Sequence, residues 1–191
     1  MSEARLASVP ALKGAETYSS AMADAKNYIS WILASFSEYL AAPVLEIGVG
    51  HGSYASVLRD YGDYIGIDID PASVEEGRQR FPGLDLRVSD ITRPEFVALA
   101  NERKVKTIVC LNVIEHIEDD GKAVTNLARA LQPGGHLLVN VPALDLLFND
   151  LDRMAGHHRR YSRAEMRSRR GGRDRSWWSL DRRDGSAARA S

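Results

Sequence analysis

Short apolar runs, each closed by acids, glycines or a turn, recur along this chain, and their lengths set the elements. Val44-Leu45-Glu46-Ile47 is a run of strand length broken by one acid, and it leads directly into Gly48-Val49-Gly50-His51-Gly52. Ser53 to Arg59 then reads as a helix packing back on that strand. Tyr64 to Asp68 predicts a second strand; Asp70 suits the N-cap of the helix after it, and Pro71 the first helical position, where its missing N–H does no harm. A third strand is expected around Leu84 to Val88, ending at Ser89-Asp90-Ile91. A fourth, Thr107 to Leu111, runs into Asn112-Val113-Ile114-Glu115-His116-Ile117. A fifth, His136 to Val141, follows the turn Gln132-Pro133-Gly134-Gly135. Ahead of them, Glu16 to Leu40 is a helical stretch whose apolar residues near Tyr28, Trp31, Ile32 and Phe36 have packing as their simplest role.

The glycines after the first strand mark a place where backbone turns sharply or approaches a ligand closely. A dinucleotide site carries G-x-G-x-x-G, but here the third glycine comes one residue early. Glu46 stands two residues before the first glycine, where a carboxylate is costly to bury unless it has a hydrogen-bonded or cationic partner. A cofactor with an ammonium group supplies that partner, and a pyrophosphate does not. Asp68 lies 18 residues after Gly50, close to the roughly 20-residue offset at which an acid accepts from ribose hydroxyls. A tight turn with no ligand is the plain alternative.

Taken in order, the E-x-G-x-G-x-G turn at Glu46 to Gly52, Gly66-Ile67-Asp68, Ser89-Asp90-Ile91, Asn112 to Ile117 and Leu131-Gln132-Pro133-Gly134-Gly135-His136-Leu137 resemble the class I S-adenosylmethionine-dependent methyltransferases over about residues 16 to 166. The resemblance implies a Rossmann-like, doubly wound α/β fold with a parallel sheet in the order 3-2-1-4-5. It also implies S-adenosyl-L-methionine as cofactor. Glu46 would hold the ammonium group, with Gly48 and Gly50 letting the backbone pass close by. Asp68 would accept from the ribose, Ile69 would pack on adenine, Asp90 and the Ile91 backbone would meet its edge, and Asn112 would lie near the methionine end. These positions fall at the carboxyl ends of strands, where open α/β sheets bind ligands.

His116 is the candidate catalytic base, because an imidazole titrates near neutrality; a capping or packing role is as well supported, and Glu115 could orient it. An N-Y-x-x-W helix, matched by Asn27 to Trp31, makes Tyr28 a candidate for cofactor or acceptor contact. Asp145 to Tyr161 resembles a D-x-x-x-G-H-x-R-R-Y stretch of a bacterial-type subgroup, which offers His157, Arg160 and Tyr161 to an acceptor, with anchoring of the segment as the favoured role. A metal-binding variant of the family carries E-x-x-E-H, but Asn112 stands where the first glutamate would be. Glu115 and His116 are then too few ligands without recruits such as His157 or His158, so no metal is expected.

Composition narrows the setting. The chain of 191 residues fits one domain, and its single cysteine, Cys110, allows no disulfide framework. With no apolar run approaching membrane length and no signal segment, a cytoplasmic protein without a membrane partner is expected. The net charge of -1 hides an asymmetry: residues 163 to 191 carry nine arginines against four acids. Ser162-Arg163-Ala164-Glu165 has capping-box spacing, yet after Met166 there is no Ile, Val, Phe, Met or Tyr. The tail could be a nucleic-acid arm built on arginine, Trp177 and Trp178, inert disorder, or the product of a shifted reading frame near codon 167; the last is favoured and the first least.

The expected layout is therefore an extension at 1–15, a helical segment at 16–43, a cofactor-binding domain at 44–166 and an arginine-rich, disordered tail at 167–191. The family's C-terminal antiparallel strand pair would be missing, leaving the fifth strand open to self-association. The expected function is methyl transfer to a small-molecule acceptor. A cofactor-binding but impaired fragment is the alternative, and a nicotinamide-dependent oxidoreductase ranks behind both.

Overall fold

The computed structural model describes residues 26–168 and 176–179. Within them, helix α1 (Lys26–Ala34) leads to β1 (Val44–Ile47), short α2 (Ala55–Leu58), β2 (Tyr64–Asp68), α3 (Pro71–Arg80), β3 (Asp85–Val88), α4 (Pro94–Glu102), β4 (Thr107–Leu111), α5 (Asp120–Ala130) and β5 (His136–Asn140). After β5 come α6 (Asp150–Met154), α7 (Arg163–Ser168) and β6 (Ser176–Ser179). The sheet has the order β3-β2-β1-β4-β5-β6, and every pairing is parallel.

Alternation along the strands divides the core between the two faces of the sheet. Leu45, Ile47, Ile65, Ile67, Ile108, Cys110, Leu137 and Val139 share one core with Phe96 and Ala100 of α4 and with Ala123, Val124 and Leu127 of α5. Val44, Val109, Leu111 and Leu138 join Ile29, Ile32 and Leu33 of α1, Phe36 just beyond it, and Val74 of α3 in the other. Helices on both faces explain why the strands read as continuous apolar runs. Asp70 caps α3 by accepting from the N–H groups of Ala72 and Ser73 at 3.1 and 3.3 Å. The Ser162–Glu165 capping box opens α7: Ser162 N–H donates to Glu165 Oε2 at 2.7 Å and Glu165 N–H to Ser162 Oγ at 3.2 Å.

The 3-2-1-4-5 order is present, but the expectation of an open edge on the fifth strand is corrected. β6 pairs with β5 from His136↔Ser176 to Val139↔Ser179. The physical reason lies in Ser176-Trp177-Trp178-Ser179, an uncharged stretch with two strand-forming aromatics inside an arginine-rich segment. The pairing is parallel, so it is not the antiparallel pair of the family, which does not occur among the described residues. Residues 1–15 and most of the 167–191 tail, with the disorder expected there, lie outside the described residues.

Candidate functional site

The turn after β1 is shaped by backbone that only glycine adopts readily. Gly48, Gly50 and Gly52 have φ of 73°, 46° and 77°, and a Cβ on Gly48 would stand 2.6 Å from Val113 Cγ2. The turn is tied to the end of β2 by one side chain. Asp68 Oδ2 accepts from Gly50 N–H at 2.9 Å, and Asp68 Oδ1 accepts from Asp70 N–H at 3.0 Å. Each carboxylate oxygen can accept a second hydrogen bond, so Asp68 keeps capacity for a ligand hydroxyl.

Glu46, in the middle of β1, is buried at 2 % exposure. Its Oε2 accepts from the Tyr64 hydroxyl at 2.6 Å, while Oε1 is buried with no hydrogen-bond partner among the described residues. Burial pushes the Glu46 carboxyl up to about 8, against the opposing pull of the Tyr64 hydrogen bond. The Tyr64 hydroxyl is pushed up as well, by burial and then by Glu46. Gly66 makes this pair possible: a Cβ there would meet the Tyr64 hydroxyl oxygen at 2.7 Å. A cation reaching Oε1 would satisfy the orphaned atom and favour the charged carboxylate.

Next to Asp68, Ile69 is 69 % exposed. An aliphatic side chain held bare beside a carboxylate is suited to a flat apolar ring. Asp90, beyond β3, accepts through Oδ1 from the Thr92 N–H at 2.8 Å and hydroxyl at 2.7 Å. Partial burial raises its pKa, but the Thr92 bonds and Arg93 outweigh that and hold the carboxyl below its ordinary value. Ile91 is buried, and its carbonyl accepts from Asn126 Nδ2 at 2.9 Å. Asn112 adopts φ 54° at the end of β4, and its N–H donates to the Asn140 carbonyl at 2.8 Å. The expected cofactor residues thus line the carboxyl ends of β1 to β4, with Glu46 one residue inside.

A second group lies beyond β4. A single helical turn, Ile114–His116, places Glu115 in the core at 0 % exposure and leaves His116 partly exposed. The His116 and His157 rings meet edge to face, with centroids 4.7 Å apart and planes at 79°. One ligand atom each from Glu115, His116 and His157 lies within 4.8 Å of the others. Burial above all, with neighbouring His157 and then His158, lowers the His116 pKa despite a hydrogen bond with the Gly156 backbone.

His157 reaches this position because the segment after β5 is fastened down. His158 N–H donates to the Glu115 carbonyl at 2.8 Å. Arg159 donates to the Glu118 carbonyl at 2.8 Å and pairs with Asp120 at 2.8 Å. Asp152, 3 % exposed, accepts from Arg160 Nε at 2.9 and 3.0 Å, lies 2.8 Å from Arg160 Nη2, and accepts from His157 Nδ1 at 2.9 Å. Burial alone would raise the Asp152 pKa, but Arg160, the Asn149 N–H and His157 outweigh it and hold the carboxyl at about 2. Tyr161 is 2 % exposed, and its hydroxyl donates to Asp120 Oδ2 at 2.9 Å. Among the acceptor candidates, Tyr161 has the anchoring geometry favoured for this segment, because its hydroxyl is buried and engaged, and is not available to an acceptor. Arg160 anchors as well, through Asp152, and His157 alone joins the site. The side chain of Tyr28 lies outside the described residues.

Three further residues shape the site and were not foreseen. Tyr64 and Asp152 are the hydrogen-bond partners of Glu46 and His157. Asn140, at the end of β5, is 2 % exposed, and its Oδ1 has no hydrogen-bond partner among the described residues. A polar residue closing the apolar run His136-Leu137-Leu138-Val139-Asn140 was the available signal for it.

Comparison with known proteins bears on the family and the fold. A probable S-adenosylmethionine-dependent methyltransferase of Mycolicibacterium smegmatis is 35 % identical over 52 % of this chain and 37 % of its own length. A ubiquinone biosynthesis O-methyltransferase of Alkalilimnicola ehrlichii is 31 % identical over 50 % of this chain and 39 % of its own. The matched segments thus span well under half the length of either curated relative. A solved structure of the complex between the Haloferax volcanii Trm112 methyltransferase activator and a methyltransferase shares the fold, with a TM-score of 0.64 at 18 % identity over 82 % of this chain and 71 % of that one. The pattern described as "Methyltransferase domain" matches residues 16–183, and this chain belongs to that family.

Proposed function

We propose that the protein transfers a methyl group from S-adenosyl-L-methionine to a small-molecule acceptor. The observation that carries this reading is Glu46: a buried carboxyl with one oxygen orphaned beside a glycine turn calls for a cationic ligand group. On this reading Glu46 holds the ammonium of the methionine moiety where Gly48 and Gly50 let the backbone come close. Asp68 accepts from the ribose hydroxyls while keeping its bonds to Gly50 and Asp70. Ile69 covers one face of adenine, and Asp90 with the Ile91 backbone meets its edge. Asn112 and Asn140 stand at the methionine end. The bound cofactor supplies an electrophilic methyl group, so the main task of the protein is to orient the acceptor towards it.

His116 and His157 mark the acceptor side. His116 is kept neutral by burial and can take a proton from an acceptor hydroxyl or amine at neutral pH. The single buried thiol, Cys110, supports a cytoplasmic location, and no described helix is long and apolar enough to cross a membrane.

The test is a titration with S-adenosylmethionine, followed by assay of S-adenosylhomocysteine release against a metabolite extract. Binding that is weakened in Glu46→Gln, with turnover on at least one acceptor by the unaltered chain, is expected. Binding without turnover on any fraction would favour the impaired fragment, and no binding by a folded chain would overturn the proposal. A nicotinamide site gains no support, since a pyrophosphate would bring negative charge to Glu46.

A further inference from the structure

We propose that Glu115, His116 and His157 form a site for a borderline first-row divalent ion such as Zn2+. The sequence offered only Glu115 and His116, too few ligands, and the fold supplies the third from a segment some forty residues downstream. One donor atom from each lies within 4.8 Å of the others. Two bonds of about 2.1 Å at a tetrahedral angle would place ligand atoms about 3.4 Å apart, a distance that small side-chain rotations reach.

The stronger argument is what stands behind the ligands. An imidazole that binds a metal uses one ring nitrogen, and its other N–H is commonly held by a carboxylate or a backbone carbonyl. Both histidines have such support. His157 Nδ1 lies 2.9 Å from Asp152 Oδ1, which leaves Nε2 as the donor atom. Asp152 in turn is gripped by Arg160 and by the Asn149 N–H at 2.9 Å. His116 hydrogen-bonds the Gly156 backbone. The segment that carries Asp152, Gly156 and His157 is tied to the turn carrying Glu115 and His116 through His158 N–H and the Glu115 carbonyl. Merely packing two imidazoles together would not require this much orientation of their tautomers.

Two nitrogens and one carboxylate oxygen suit Zn2+, Mn2+, Fe2+ or Co2+, whereas Mg2+ and Ca2+ want shells of oxygen. Partial exposure of both histidines leaves a way in for the ion and room for a further ligand. Placing the ion on the acceptor side rests on the methyltransferase reading; its binding does not. A bound ion there would occupy the His116 nitrogen that otherwise serves as base, and would take over that role by holding an acceptor oxygen as the further ligand and easing loss of its proton.

The test uses the full chain without an affinity tag, stripped with chelator and titrated with Co2+ in the absence of S-adenosylmethionine. The expected result is one equivalent bound, with d–d absorption bands that Zn2+ abolishes and millimolar Mg2+ does not. His157→Gln and His116→Gln should each weaken binding by more than the roughly 10- to 100-fold that loss of an outer-shell partner costs, and Asp152→Asn by about that amount. His158→Ala, next to the cluster but outside it, should leave binding unchanged. Circular dichroism identifies any variant that fails to fold, and the remaining histidine variant then decides. Absence of Co2+ binding, or binding equally tight in a folded His116 or His157 variant, overturns the proposal whether or not S-adenosylmethionine binds.

Discussion

Glu46 is the carboxyl at this site whose protonation folding favours. Its pKa rises on folding from the ordinary value of 4.5 to about 8. The folded chain therefore binds a proton that the unfolded chain releases. This contribution to stability is fully present below about pH 4.5, declines as pH rises, and is lost above about pH 8. A cationic ligand favours the carboxylate, so affinity for S-adenosylmethionine should climb from pH 6 to 8 and then level off. Calorimetry in buffers of different ionisation enthalpy should register proton release at pH 7, and Glu46→Gln should abolish it; pH-independent binding by the wild type would refute the coupling. Asp68→Ala should weaken cofactor binding by roughly 1 to 3 kcal/mol, the range for hydrogen-bonding partners left unsatisfied. Unchanged affinity in a folded variant would remove Asp68 from the site.

Among the elements, the segment after β5 has the most dependent geometry. Asp152 holds Arg160 and His157 at once, and Tyr161 and Arg159 share Asp120. Arg160→Ala should destabilise the fold by roughly 2 kcal/mol, because it leaves a buried carboxylate short of its main donor. Thermal unfolding measures this, and a change near zero would mean that solvent replaces the guanidinium. None of these pairings could be foreseen from sequence spacing. Tyr64 reaches Glu46 across neighbouring strands, and His157 reaches His116 from a loop, so both contacts depend on tertiary placement. The strands were another matter. Thr107–Leu111 forms as expected, and the fifth strand, expected over His136–Val141, ends one residue early at Asn140. Burial on both faces had written them as plain apolar runs.

For the whole molecule, β6 matters more than its four residues suggest. It covers an edge of β5 that would otherwise present unpaired backbone groups. The sequence concealed it because arginines surround two tryptophans and no alternating pattern announces a strand. A chain ending at residue 168 should therefore associate more strongly than the full chain. Light scattering across a concentration series would show a rise in mass for the shortened chain only, and equal behaviour of the two would mean that β6 gives no protection.

The bond from Gly50 to Asp68 is made within the protein, so the turn is pinned by its own chain rather than by a ligand. A receptor whose binding-competent form is already dominant loses no affinity to a minor population, and its observed association rate need not saturate. Rapid-mixing traces with S-adenosylmethionine should then be single exponentials whose rates rise in proportion to concentration. A plateau would instead reveal a slow rearrangement elsewhere, outside the pinned turn. For a chain of this build, encounter rather than reshaping would set the pace at which its cofactor is captured.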